Sequence, residues 1–262
     1  MDAMTQDQPQ AAAGTQAVRR AAAMLRAIAK AGALGDTLAG IARSTALPRP
    51  TVHRMLKCLQ DEGLVERLPG DKCYRMGPLV HELGLTPASS AMDVARWRPV
   101  VEAVARRTGV TAYLMRRSGV EAVCLVKADG RAVIRFVPVE VGQRRLLGVG
   151  AGATALLSAL DAGPREDVIR AVVPGLQRHP RLDAESLRAA VKLVQRTGVA
   201  ISQGTVVEDG FGMGVVIPAA AGTPRLALSI AAHASTVTES RIAAWKRMLF
   251  DAVAEGGDQP SE

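Results

Sequence analysis

The segment LPRPTVHRMLKCLQDEG, residues 47–63, gathers the side chains best suited to meeting a polyanion. At helical spacing Val52, Met55, Leu56 and Leu59 form a stripe to be buried, which leaves Thr51, Arg54 and Lys57 on the outward side and His53 at its margin. A threonine can reach a base edge or a phosphate, and an arginine can hold guanine through two parallel hydrogen bonds. Arg49, Pro50, Thr51, His53, Arg54 and Lys57 therefore read as the DNA-facing start of a recognition helix, preceded by a shorter helix in a helix-turn-helix. Pro48 and Pro50 both fall in the first turn, where a missing N–H costs nothing. Because proline disfavours helical geometry at Arg49, the register of the start is open by a residue or two. After Gly63, LVERL and CYRM flank a PGDK turn and predict a two-stranded hairpin carrying Arg67, Lys72 and Arg75, a wing that touches phosphate or the minor groove.

A second constellation is Gly148, Val149, Gly150, Ala151 and Gly152, directly before the apolar run ATALL. Glycines at the start of a helix expose backbone N–H groups at the positive end of the helix dipole, which suits a carboxylate or a phosphate. As a nucleotide fingerprint the run fails. Its spacing is G-x-G-x-G, the arginine-rich GQRRLL before it is not a clean strand pattern, and no Walker lysine follows.

Covalent catalysis finds little to use. Ser158, Ser202 and Ser229 lack a G-x-S-x-G elbow, Cys124 sits in an apolar alternation without a base, and His81, His179 and His233 are isolated. Cys58, Cys73 and Cys124 are an odd number lying far apart, with no C-x-x-C, so neither a disulfide framework nor a zinc or iron–sulfur site is expected. No metal and no cofactor are predicted, and the chain does not read as an enzyme. Met115 and Cys124 are candidates for the floor of a ligand pocket, although on an alternating strand either fits a core as well.

The elements that must position these groups follow from pattern. The 262 residues are 48% hydrophobic and 22% charged, enough to bury real cores and allow one large domain or two ordinary ones. No apolar run reaches spanning length and no signal segment is evident, so a cytoplasmic protein without membrane contact is expected. The net charge of +8 is uneven: Arg19 to Pro78 holds 11 Lys and Arg against 5 Asp and Glu. That surplus points to a polyanion.

Residues 1–14 lack periodicity and predict a disordered leader. An amphipathic helix with Val18, Ala21, Ala22, Leu25, Ile28 and Ala29 follows, then a helix capped by Asp36 or Thr37 that buries Leu38, Ile41 and Ala42, then the recognition helix and hairpin. Together these make a DNA-binding domain over 15–77. Residues 78–90 predict a linker helix region. A long helix over about Ala91 to Arg107, with Pro99 expected to kink or restart it, opens a second domain over 91–256, and 257–262 form a tail. Within it GVTAYLMRR, GVEAVCLVKA and RAVIRFVPV predict strands. Helices at Ala151–Leu160, Pro164–Val173 and Ala184–Arg196 come next, then strands near Ala200–Val206, Met213–Pro218 and Arg225–Ala231 and a last helix from Thr238 to about Ala254. Two groups of strands around central helices predict an α+β fold on an antiparallel sheet.

With these residues in view, the chain resembles the isocitrate lyase regulator (IclR) family of bacterial transcription factors. The matches are the Leu47-Pro48 pair before the recognition helix, Thr51 to Arg54 with Leu56, the run through Val65 and Glu66, and Tyr74 to Pro78. They continue through GVGAGATALLSAL, RTGVAIS and VVIPAAAGTPRLALSIAA, and cover about residues 15–255. The resemblance implies a winged helix-turn-helix joined by a helix to a GAF-like effector-binding domain, acting as a homodimer or homotetramer. It also implies an effector pocket lined by the glycine-rich segment, by Ser202 to Thr205, Gln203 among them, and by Gly210 to Gly214, Met213 among them. Small organic acids, aromatic ones included, are the family's effectors, so a small carboxylate is expected with its anion at Gly150 to Ala153 and its body against Ile201 and Met213. Pro50 departs from the small residue usual in the family. Gly148 and Gly150 stand where a histidine and a threonine or serine are common. The function these readings converge on is operator binding to double-stranded DNA under control of that acid. The alternative is a small-molecule enzyme or sensor module that uses its N-terminal domain for protein contacts.

Overall fold

The computed structural model describes residues 11–85, 89–131, 139–219, 222 and 225–257, and the chain divides into two compact units between Ala88 and Ser89. The first unit contains helices α1 (Ala11–Lys30), α2 (Leu38–Thr45), α3 (Arg49–Asp61) and α4 (Pro78–Leu85), with short strands β1 (Asp36–Thr37), β2 (Val65–Glu66) and β3 (Cys73–Met76) in the order β1-β3-β2. Its core is Met24, Ile28, Ile41, Val52, Leu56, Leu59, Val65 and Tyr74. The α1 stripe differs from the sequence expectation: Val18 is 69% exposed, and Met24 with Ile28 are the buried anchors. Helix α1 begins at Ala11, inside the stretch expected as leader, while residues 1–10 lie outside the described ones.

Local chemistry sets both ends of α2 and the start of α3. Thr37 caps α2, its Oγ1 accepting the Gly40 N–H at 3.1 Å. Ala46 ends α2 in the left-handed region at φ 54°, its N–H closing on the Ala42 and Arg43 carbonyls. Arg49 is already helical, with Pro48 as N-cap, which settles the start of α3.

In the second unit α5 (Ser89–Thr108) runs through Pro99 without restarting, and the proline sits on the exposed side of the helix. A six-stranded antiparallel sheet follows, built from β4 (Thr111–Ser118), β5 (Glu121–Ala128), β6 (Arg144–Leu146), β7 (Ala200–Gln203), β8 (Gly210–Ile217) and β9 (Leu226–His233), in the order β6-β5-β4-β9-β8-β7. The segment expected as a third strand, RAVIRFVPV, falls largely outside the described residues. Strand β6 was not expected: within GQRRLL, Arg144–Leu146 form a strand, paired with β5 as Arg145↔Ala122 and Arg144↔Val123.

Alternation along the strands gives the sheet two differently filled faces. On one, Phe211, Met213, Val215, Leu228 and Ile230 pack beneath α5 and α9 (Glu239–Gly257) with Trp97 and Trp245. On the other, Tyr113, Met115, Cys124 and Ala227 meet α6 (Ala151–Ser158), α7 (Ala162–Val172) and α8 (Ala184–Thr197). Small residues keep this second face low. A Cβ on Gly214 would stand 3.0 Å from the Ala151 carbonyl carbon, so α6 lies almost directly on β8.

Candidate functional sites

Helix α3 buries Val52, Leu56 and Leu59 and exposes Arg49, Pro50, His53, Arg54 and Lys57, with Thr51 and Met55 half-buried between the two sides. This is the division predicted from the spacing, apart from Met55, which is only partly covered. His53, Lys57 and Gln60 face Arg67, Pro69 and Asp71 across an open polar groove between α3 and the hairpin.

The hairpin arginines have structural partners. Asp71 accepts the Cys73 N–H at 2.9 Å and pairs with Arg75 Nη2 at 2.7 Å, while Arg75 Nε donates to the Ala33 carbonyl at 3.0 Å. Arg67 Nε donates to the Asp71 carbonyl at 2.7 Å, and its guanidinium lies over the Tyr74 ring, 5.5 Å from the centroid. The Cys73 N–H, more than the neighbouring Arg75, holds the Asp71 carboxyl below its usual pKa. Lys72 is exposed at the tip. The three basic residues thus differ: Arg67 and Arg75 brace the turn and Lys72 is presented by it.

In the second unit the glycine-rich segment forms one wall of a cavity. Gly150, at φ 86°, is the N-cap of α6 and offers no side chain, so the first-turn N–H groups are left without a side-chain cap. Thr154 Oγ1 fastens the loop, donating to the Gly150 carbonyl at 2.9 Å with the Gly148 carbonyl at 3.1 Å. Between this loop and the sheet lies a space of about 50 Å³ open to the centre of a water molecule. Val149, Gly150, Ala151 and Gly152 line it, together with Ser202 and Gly212, as the sequence reading expected, and Met115 joins the lining.

Four expected residues are placed elsewhere. Met213 is fully buried on the opposite face of the sheet, among the side chains under α5 and α9. Gln203 is exposed, and so is Ile201, which had been expected against the ligand body. The reason is strand parity: Ser202 pairs with Gly212 and shares its face, so Ile201, Gln203 and Met213 point the other way. Gly148, at φ 92°, is not among the lining residues and packs against α8, where a Cβ would run into Leu187 Cδ2. Cys124 lies in the core behind the cavity, and burial pushes its thiol pKa up to about 12, so it remains a protonated packing group.

Sequence reasoning missed the polar wall opposite the loop. Tyr113, Arg145 and Ser229 line the cavity. Tyr113 is 3% exposed, and among the described residues its hydroxyl has no hydrogen-bond partner. Burial raises the Tyr113 pKa and lowers that of Arg145, each environment disfavouring charge. The signal for Arg145 was parity again. Had GQRRLL been read as a strand, Arg144 and Arg145 would have been assigned to opposite faces.

Among the described residues no helix is long and apolar enough to cross a membrane. The family model for the IclR helix-turn-helix domain matches residues 17–69, and the one for the bacterial transcriptional regulator IclR C-terminal domain matches residues 88–255. The chain belongs to the IclR family of transcriptional regulators. It is similar to the HTH-type transcriptional regulator KipR of Bacillus subtilis, 31% identical over 133 residues, a match taking in 50% of this chain and 51% of KipR. In fold it is similar to an IclR transcriptional regulator of Silicibacter, with TM-score 0.79 and 24% identity over 92% of this chain and 94% of that one. An IclR homolog of Microbacterium hydrocarbonoxydans, solved in complex with 4-hydroxybenzoate, has TM-score 0.71 and 22% identity over 92% and 97% of the two chains.

Proposed function

We propose that this protein is a ligand-responsive regulator that binds operator DNA through α3 and the hairpin, with activity set by a small carboxylate held in the cavity of its second unit. The observation that carries the DNA reading is the side of α3 on which Arg49, His53, Arg54 and Lys57 stand exposed above a buried Val52, Leu56 and Leu59. Arg54 and Lys57 are the base-reading candidates, Thr51 and His53 contact the strand edge, and Lys72 meets phosphate. Arg67 and Arg75 act here chiefly by holding the turn that presents Lys72. The ligand reading draws support from the uncapped start of α6 and from the complex of the Microbacterium protein with 4-hydroxybenzoate. The working form is a homodimer or homotetramer, because one winged helix reads only a few base pairs and twofold symmetry pairs two half-sites. A DNA-binding role places the chain in the cytoplasm.

Titration of duplex DNA over a range of salt concentrations tests this. The affinity should fall linearly on a log–log plot with a slope of several ions per protein. A chain that is not retained on DNA at low salt would instead favour protein contacts for the first unit.

A further inference from the structure

Arg144 and Arg145 are neighbours on β6 with opposite fates. Arg144 is paired, its Nε 2.7 Å from Glu121 Oε2 and its Nη2 2.8 Å from Ser118 Oγ. Arg145, on the other face, lines the cavity and has neither an ion pair nor a hydrogen bond among the described residues. Its guanidinium stands by the glycine-rich loop: a Cβ on Gly150 would lie 4.0 Å from Arg145 Nη1. The carboxylate of Glu140 is taken by Lys127, 2.9 Å from its Nζ.

Two positive ends therefore lie close together, the guanidinium of Arg145 and the N-terminus of α6, and among the described residues no carboxylate pairs with Arg145. A half-buried cation without a counter-ion is costly, and a helix dipole aimed at it adds repulsion. An external anion relieves both. The Tyr113 hydroxyl, buried in the same wall and without a partner among the described residues, is a donor free to meet an acceptor.

Accepting that the second unit's cavity is the ligand site, we propose that Arg145 and Tyr113 form its anion clamp: the ligand's carboxylate sits between the Arg145 guanidinium, the Tyr113 hydroxyl and the first N–H groups of α6. Apart from Ser202 and Ser229 the remaining wall is apolar, with Met115, Val139, Val149 and Val206 among it, so the ligand is a monoanion with a largely apolar body. The open space of about 50 Å³ accommodates roughly 3 to 5 waters, which limits that body to one ring or a few carbons. Recognition is thus of charge at one end and of shape at the other.

The test is calorimetric titration of the full chain with 4-hydroxybenzoate, benzoate and pyruvate, each compared with its uncharged amide. At least one acid should bind, with its amide at least tenfold weaker. Arg145→Gln should weaken that acid at least tenfold, Arg145→Lys should recover part of the loss, and Tyr113→Phe should cost roughly tenfold. The melting temperature of unliganded Arg145→Gln should equal or exceed that of the parent, since an unpaired cation has been removed. A scaffold role for Arg145 predicts the reverse. Equal binding of acid and amide, unchanged affinity in Arg145→Gln, or no acid bound by the parent protein would each overturn the clamp. DNA binding is measured separately, so a failed clamp with intact operator affinity leaves the regulator reading standing, and a functioning clamp without DNA affinity does the opposite.

Discussion

In the proposed DNA reading Arg54 carries most of the recognition, because it stands exposed on α3 two positions from each of the buried Val52 and Leu56. Replacing it with alanine should cost about 1 to 3 kcal/mol of operator affinity if it reads a base. Competition between cognate and mutated DNA checks this, and discrimination should be lost at a single base position. Lys72→Ala should behave differently, weakening all DNA alike and reducing the salt slope by roughly one unit. The Asp71 carboxylate supports the wing through the Cys73 N–H and Arg75. Its folded pKa is depressed, so its contribution is present above its ordinary value near 3.8 and is lost as the pH falls through the lower folded value. Hydrogen exchange at Cys73 should show that loss on acidification, or at neutral pH in Asp71→Asn.

At the scale of elements, Thr37 and Ala46 bracket α2, the first helix of the pair. Ala46 is exposed in the left-handed region at φ 54°, a conformation that glycine adopts without the Cβ penalty. Ala46→Gly should raise stability by about 0.5 to 1 kcal/mol, and Thr37→Ala should lower it by about 1 kcal/mol through loss of the α2 cap. Thermal melts of the full chain measure both changes. These elements were legible in the sequence because their signals are local: a cap, a turn and a 3.6-residue stripe. The glycine loop and its helix were legible for the same reason. The rest of the cavity was not, since it is assembled by strand pairing across the sheet. Ser202 pairs with Gly212 across β7 and β8, and Tyr113 with Ser229, more than a hundred residues away in the chain. Parity alone would have excluded Met213 and Gln203 and admitted Arg145. The obstacle was GQRRLL, whose two arginines look like a solvated turn until one of them is seen to face inward.

For the whole molecule, the separation into two units with their own cores predicts that the two functions can be damaged one at a time. The chain should also sediment as a dimer or larger at micromolar concentration. Val18 on α1 and Leu83 and Leu85 on α4 remain more than half exposed and are apolar surface available to a second copy. A 27.5 kDa monomer with full operator affinity would contradict that assembly. The most direct measurement is fluorescence anisotropy of labelled DNA from upstream of the protein's own gene, with a scrambled duplex as reference, for the parent chain, Arg54→Ala and Arg145→Gln. The account predicts that the parent prefers the upstream DNA, that Arg54→Ala loses this preference, and that Arg145→Gln without ligand retains it. Equal affinity of the parent for both duplexes, or an unchanged preference in folded Arg54→Ala, would contradict it.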